Sequence, residues 1–281
     1  MSVERSVAVH AEVSRAAPLF VDTHCHLDAP EFASDRDAVV AAAQAAGVAR
    51  IVIPAVESAN FSEVRDCCLR YPACQPAYGI HPLYVPRASA SDLDALRDYL
   101  RVELEGPQPP IAVGEIGLDF FVPGFDVARQ THFFVEQLKI AREFGLPVLL
   151  HVRRSQDAIL KELRRFVAGA ASHGGIAHAF NGSRQQAEAF IGLGFKLGFG
   201  GAMTFSRASR IRDLASTLPA AAIVLETDAP DISPEFIGRS RNSPHFLPQI
   251  AEHLAELRGV SVEEIARITA FNARSVLPGL A

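Results

Sequence analysis

Six side chains able to hold a metal ion end short apolar runs at five separate places in the chain: His24 and His26, Glu115, His151, His178 and Asp228. His24 and His26 stand two residues apart, so an extended backbone projects both imidazoles to one face. Two imidazoles with so short a bite are well placed to grip one cation. A lone histidine behind an apolar run is more often a satisfied polar residue than a ligand. Six donors behind five such runs point instead to a metal centre.

These donors can meet only if the runs before them lie side by side. Residues 19–24, 51–54, 75–80, 111–115, 147–151, 175–178, 195–199 and 222–227 read as eight strands. Helical patterns fill the gaps: 35–46 stopping at Gly47, 61–70, a helix opened by Ser91 with Asp94 and running through Leu104, and 127–144. A helix after Gln156, then 184–191, 209–217 and two closing helices complete the set, the last opened by Ser261 with Glu264. The strands are continuous apolar runs, as where helices cover a parallel sheet. Eight strand–helix repeats predict a (β/α)8 TIM barrel, whose strand carboxyl ends gather on the one rim that carries active sites. No linker splits the chain. Residues 19–281 read as a single barrel domain and 1–18 as a flexible tail without an export signal.

Composition narrows the function. The 281 residues are 49% hydrophobic with a net charge of −5, which excludes intrinsic disorder. No uncharged apolar run approaches the roughly 18–20 residues of a membrane span. The mild acidity provides no basic face, so any nucleic acid must be held locally at a site. Trp is absent and there are four Tyr, which argues against a broad stacking platform. Cys25, Cys67, Cys68 and Cys74 lack ribbon or redox spacing and read as free thiols in a reducing cytoplasm. Among the other histidines, His132 reads as structural within a helix. His10 falls in the tail, and His173, His245 and His253 read as loop or helix-surface residues. His81, in Gly-Ile-His-Pro, either lines the site or packs its own loop.

With these blocks in order, the chain resembles the TatD family of metal-dependent hydrolases, within the amidohydrolase-like barrels. The resemblance rests on Val21-Asp22-Thr23-His24-Cys25-His26-Leu27-Asp28, Val113-Gly114-Glu115-Ile116-Gly117-Leu118-Asp119 and Pro147-Val148-Leu149-Leu150-His151. It continues through His178-Ala179-Phe180-Asn181-Gly182-Ser183 and Leu225-Glu226-Thr227-Asp228-Ala229-Pro230. The stretch from Gly200 to Ser209, with Asp231, is most similar to the YjjV-like branch. The blocks run from residue 20 to the C-terminus, and the ordered set is highly specific. Two positions depart from the pattern. Asn242-Ser243-Pro244 stands where the family often has Asn-Glu-Pro, and Ser155 where it often has Thr or Ala.

The resemblance implies a two-metal site in which His24, His26 and Asp228 hold one ion, His151 and His178 the other, and Glu115 bridges them. A carboxylate suits that bridge, since paired ions stand about 3.5–4 Å apart. Asp228 is then the general base that takes a proton from the attacking water. Four imidazoles favour Zn²⁺ or Mn²⁺ over the Mg²⁺ often named for the family. Asp22 either orients a ligand histidine or is a buried structural carboxylate. The implied activity is 3′→5′ exonuclease trimming of DNA, with RNA as a further substrate. The alternative is hydrolysis of an ester or amide in a small metabolite or an aminoacyl-tRNA. His81, Arg153, Asn181, Ser183 and Arg207 are the candidate substrate contacts. Gly198, Gly200 and Gly201 either admit backbone N–H groups to a phosphate or simply pack. A monomer acting on strand ends, away from membranes, completes the expectation.

Overall fold

In a computed structural model, which describes residues 19–167 and 174–280, the apolar runs form one eight-stranded sheet in sequence order. Its strands are β1 (Phe20–Asp22), β2 (Val48–Pro54), β3 (Cys74–Tyr78), β4 (Ala112–Asp119), β5 (Val148–Arg153), β6 (Gly175–Ala177), β7 (Phe195–Phe199) and β8 (Ile223–Leu225). Each strand pairs parallel with the next. The last seam closes through Thr23, whose backbone N–H and hydroxyl both donate to the Leu225 carbonyl at 3.1 and 3.0 Å. The (β/α)8 barrel expected from the repeats is the observed fold. Helices α1 (Arg36–Ala45), α2 (Phe61–Arg70), α3 (Ala90–Glu103), α4 (Val127–Glu143), α5 (Gln156–Val167), α6 (Arg184–Gly192) and α7 (Ser209–Thr217) connect the strands. Helices α8 (Leu247–Arg258) and α9 (Val262–Val276) follow β8.

The interior explains how the polar groups reach the rim. One apolar residue from each of seven strands, Val21, Val52, Ala77, Ala112, Leu149, Ile176 and Val224, forms a buried cluster with the C-terminal Ala273, Val276, Leu277 and Leu280. Side chains alternate along a strand, so the residue two positions further on returns to the same face one layer higher. Leu149 is thus followed by His151, Ile176 by His178, and Val224 by Glu226 and Asp228. The apolar layer is a sealed floor, and the histidines stand above it. Outside the strands, Phe133, Phe134, Leu138, Leu160, Phe190 and Leu254 belong to the larger core that the helices complete.

Several boundaries differ from expectation. The α3 cap is Ser89 with Asp92, not Ser91 with Asp94: Ser89 has the extended backbone of an N-cap, and its N–H donates to the Asp92 carboxylate at 2.6 Å. Strand β4 runs on to Asp119 rather than stopping at Glu115. Gly117 permits this, because at φ 146° a Cβ there would meet the His151 carbonyl oxygen at 2.1 Å. Strand β8 is shorter than expected, ending at Leu225. At α9 the Ser261 hydroxyl accepts from the Glu264 N–H at 3.2 Å, as its cap requires. The 1–18 tail, His10 and His173 lie outside the described residues. Among those described, no helix is long and apolar enough to cross a membrane.

Candidate metal centre

Glu115 is the hub. Its side chain is 2% exposed, and its two oxygens face different histidines. Oε2 lies 3.0 Å from His24 Nε2 and 3.6 Å from His26 Nε2. Oε1 lies 2.9 Å from both His151 Nδ1 and His178 Nε2. Asp228 Oδ1 stands 3.6, 3.8 and 3.9 Å from His24, His26 and His178. All six side chains singled out as metal-binding therefore converge on one point of the rim.

His81 joins them more closely than a loop residue would. Its Nε2 is 3.0 Å from His151 Nδ1 and 3.4 Å from Glu115 Oε1. Among the described residues, three groups have donor atoms within 4.8 Å of one another: His24, His26 and Asp228; His24, Glu115 and His178; and His81, Glu115 and His151. His151 is thus grouped with His81 rather than with His178.

The electrostatics suit a cation. Burial drives the His24 and His81 imidazoles down to about 3 and about 4, so both keep a free lone pair at neutral pH, as metal ligands must. Burial opposes charge on Glu115, but His81, His178 and His24 outweigh it and hold the carboxylate well below its ordinary range. Burial likewise disfavours a charged His178, yet the nearby Glu115 and Asp228 raise it well above the ordinary value. The cluster therefore stabilises positive charge at its centre. The Nδ1 atoms of His24 and His178 are buried without a hydrogen-bond partner. Imidazoles, two carboxylates and unmet nitrogen donors fit a divalent transition metal.

Groups behind the cluster fix its members. Asp119 Oδ2 sits 2.9 Å from His151 Nε2 and accepts the Phe121 and Val122 N–H groups through Oδ1. A proton held on Nε2 by this carboxylate leaves the Nδ1 lone pair aimed into the cluster. Glu226 Oε1 accepts the Ala179 N–H at 2.5 Å and lies 3.8 Å from His178 Nδ1. Gly198 makes room for it, since a Cβ there would stand 2.0 Å from Glu226 Oε2. The Gly200 position is likewise closed by the Glu226 carbonyl, and Gly201 by that of Ile232. Each of these glycines thus has a packing reason. Asp22 holds backbone rather than an imidazole ring: its Oδ1 accepts from Thr227 N–H at 2.9 Å and His24 N–H at 3.3 Å, and its Oδ2 from the Thr227 hydroxyl at 2.6 Å.

The reading from sequence did not give Asp119 or Glu226 a role. Two signals point to them: both stand in the motif blocks, and alternation puts Asp119 four residues beyond Glu115 and Glu226 two before Asp228.

The other candidate substrate contacts each have a local partner. Arg153 stacks its guanidinium on the exposed Phe121 ring at 3.8 Å and approaches Asp119 at 3.9 Å. Asn181 accepts from Arg210 at 2.6 Å, and Arg207 lies over Phe205 at 5.5 Å. Ser183 is already engaged, its hydroxyl accepting the Gln186 N–H at 3.1 Å as the cap of α6. Ser243 is buried and its hydroxyl bonds His245 at 2.8 Å. Ser155, also buried, donates to the Leu118 carbonyl at 2.6 Å. His132 is exposed on α4, while His253 stacks on Phe236 with ring centroids 5.7 Å apart.

Residues 21–278 match the family described as TatD related DNase. This chain belongs to that family. It is a metal-dependent hydrolase of the TatD type. The Escherichia coli K12 metal-dependent hydrolase YjjV, itself uncharacterised, is 40% identical over 248 residues, covering 88% of this chain and 93% of its own. The crystal structure of E. coli YjjV superimposes with a TM-score of 0.87 at 39% identity, over 92% of this chain and 98% of that one. The Salmonella typhimurium 3′-5′ ssDNA/RNA exonuclease TatD is 33% identical over 261 residues, 91% of this chain and 97% of its own. The TatD family membership and the YjjV likeness agree with what the motif blocks implied.

Proposed function

We propose that this chain is a 3′→5′ exonuclease that hydrolyses phosphodiester bonds at the ends of DNA, and of RNA, with two divalent ions, Zn²⁺ or Mn²⁺. The observation that carries the reading is Glu115, whose two oxygens face separate histidine sets. His24, His26 and Asp228 would hold one ion. His151 and His178, with His81 beside them, would hold the other. When bound, such ions supply Lewis-acid charge to the phosphoryl oxygens and make water acidic enough to attack at neutral pH.

The chain's own groups supply the rest. Burial lifts the Asp228 carboxyl to about 6, close to the working pH of an efficient general base. Asp228 takes the proton from the attacking water and returns it to the leaving 3′ oxygen. Glu115 stays ionised throughout and keeps the two histidine sets at fixed separation. Arg153 and Arg207 contact the backbone phosphates, with Asn181 at the rim. With a net charge of −5, the chain has no basic field to draw in a long duplex, which favours action at ends. Four buried free thiols support the cytoplasm as its compartment.

The test is incubation of a 5′-labelled single strand with the metal-loaded protein. A ladder shortening from the 3′ end, with mononucleotide release, is the expected result. An intact strand alongside turnover of small esters or amides would replace this reading with the metabolite-hydrolase one.

A further inference from the structure

We propose that the groove among the segments following β6, β7 and β8 is a subsite for one nucleotide, bound by its phosphate and its apolar ring face together. The inference rests on the exonuclease reading for its place in turnover, though binding itself does not need it. The groove is open to solvent and has a volume of about 620 Å³, within the roughly 300–1,000 Å³ of small-ligand pockets. Asn181, Phe205, Arg207, Arg210, Ile211 and Ile232 form its working walls.

Its charge is one-sided. In a chain of net charge −5, two arginines line this groove and no carboxylate does. Arg210 donates to Asn181 Oδ1 at 2.6 Å and Arg207 rests over Phe205. Among the described residues neither guanidinium has an ion-pair partner. Two guanidinium forks without carboxylate partners suit the oxygens of a phosphate.

The lining also holds apolar side chains, one of them fixed by its backbone. Ile232 is a β-branched residue at φ 44°, a conformation such residues rarely adopt. It is held there because its carbonyl accepts from Asn242 Nδ2 at 3.3 Å and abuts Gly201, where a Cβ would stand 2.2 Å away. With the carbonyl turned in, the 36% exposed side chain is left to line the groove. Two guanidinium groups sharing one groove with Ile232, Ile211 and Phe205 fit a ring that carries a phosphate better than a bare anion. Both walls continue segments of the metal centre: Asn181 lies three residues after His178, and Ile232 four after Asp228.

Binding is read by fluorescence anisotropy, with metal-loaded full-length protein and a fluorescein-labelled phosphorothioate pentathymidylate. Expected results are competition by dTMP at least tenfold better than by thymidine or inorganic phosphate. The Arg207→Ala/Arg210→Ala pair should weaken binding tenfold or more, and Ile232→Ser several-fold, with circular dichroism unchanged. Tighter binding of the pentamer than of dTMP assigns the subsite to a strand end, and equal binding to free mononucleotide; both support it. Unchanged binding by the double variant, or dTMP no better than phosphate, overturns the proposal. Arginine-dependent binding without strand shortening sinks only the exonuclease reading. Shortening whose KM ignores both arginines sinks only the subsite, since the subsite requires KM to rise about tenfold with kcat nearly unchanged.

Discussion

His24 and His178 lie face to face, ring centroids 3.9 Å apart and planes 12° from parallel, and reach opposite oxygens of Glu115 at 3.0 and 2.9 Å. Burial keeps His24 neutral while Glu115 and Asp228 favour a charged His178, so the stack does not set two like charges face to face. A divalent cation at this point binds the folded chain and not the unfolded one. Metal removal therefore lowers the melting temperature: at a hundredfold excess over Kd the stabilisation lost is about 2.7 kcal/mol. Thermal unfolding with and without a chelator, followed by Zn²⁺ or Mn²⁺ addition, measures it. Glu115→Gln should abolish the metal-dependent rise, and a full rise in that variant would show that Glu115 is not the bridge.

The carboxylate of Asp119 holds His151 from outside the cluster. Burial opposes charge on Asp119, but the His151 hydrogen bond, the Val122 and Phe121 N–H groups and the His151 charge together outweigh it and keep Asp119 low, at about 2, so it is ionised at every working pH. Asp119→Asn preserves shape but loses the charge that fixes the ring. Loss of such a partner typically costs 10–100-fold in metal affinity or activity. Calorimetric metal titration of the folded variant is the direct check. An unchanged affinity and rate would reduce Asp119 to a cap for the Phe121 and Val122 N–H groups.

Gly198 and Glu226 can be tested as a pair. A Cβ at position 198 cannot coexist with the Glu226 carboxylate 2.0 Å away, so Gly198→Ala overpacks the rim and costs about 1–3 kcal/mol. Adding Glu226→Ala removes the obstacle, and part of the loss should return, a coupling that a double-mutant cycle reads from chemical denaturation. Strict additivity would mean that the glycine serves something other than room for Glu226.

The residues of the candidate metal centre were legible because strand alternation and run ends are local properties. His151 two beyond Leu149, and His178 two beyond Ile176, follow the period of the strand, so placing the strands placed the histidines. The partners behind them were not legible in this way. Asp119 reaches His151 across a ladder 32 residues away in sequence, and Glu226 reaches Ala179 across 47. Those pairings depend on strand register and on glycines that let backbones approach. His81 was visible as a histidine after β3, but whether it faced Glu115 or its own loop depended on the path of the chain beyond Ile80. The choice of Ser89 over Ser91 as the α3 cap turned on backbone angles, which two serines in one short stretch cannot reveal.

The four cysteines give the fold an alkaline limit. Burial pushes the Cys67 thiol up to about 12, and Cys25, Cys68 and Cys74 are raised well above the ordinary 9.0 by the same cause. A thiol whose folded value exceeds its unfolded one favours the folded state fully below the unfolded value. Above about pH 9 the unfolded chain ionises first, and each such thiol costs about 1.4 kcal/mol per pH unit until its folded value is reached. Melting temperature should therefore hold steady from pH 7 to 8.5 and fall steeply between pH 9 and 11. The same burial should leave all four thiols unreactive toward a disulfide reagent at pH 8 in the folded protein, and reactive in denaturant. A Cys67→Ala/Cys68→Ala variant should show a shallower alkaline fall. An equally steep fall in that variant, or rapid thiol reaction in the native protein, would refute the assignment.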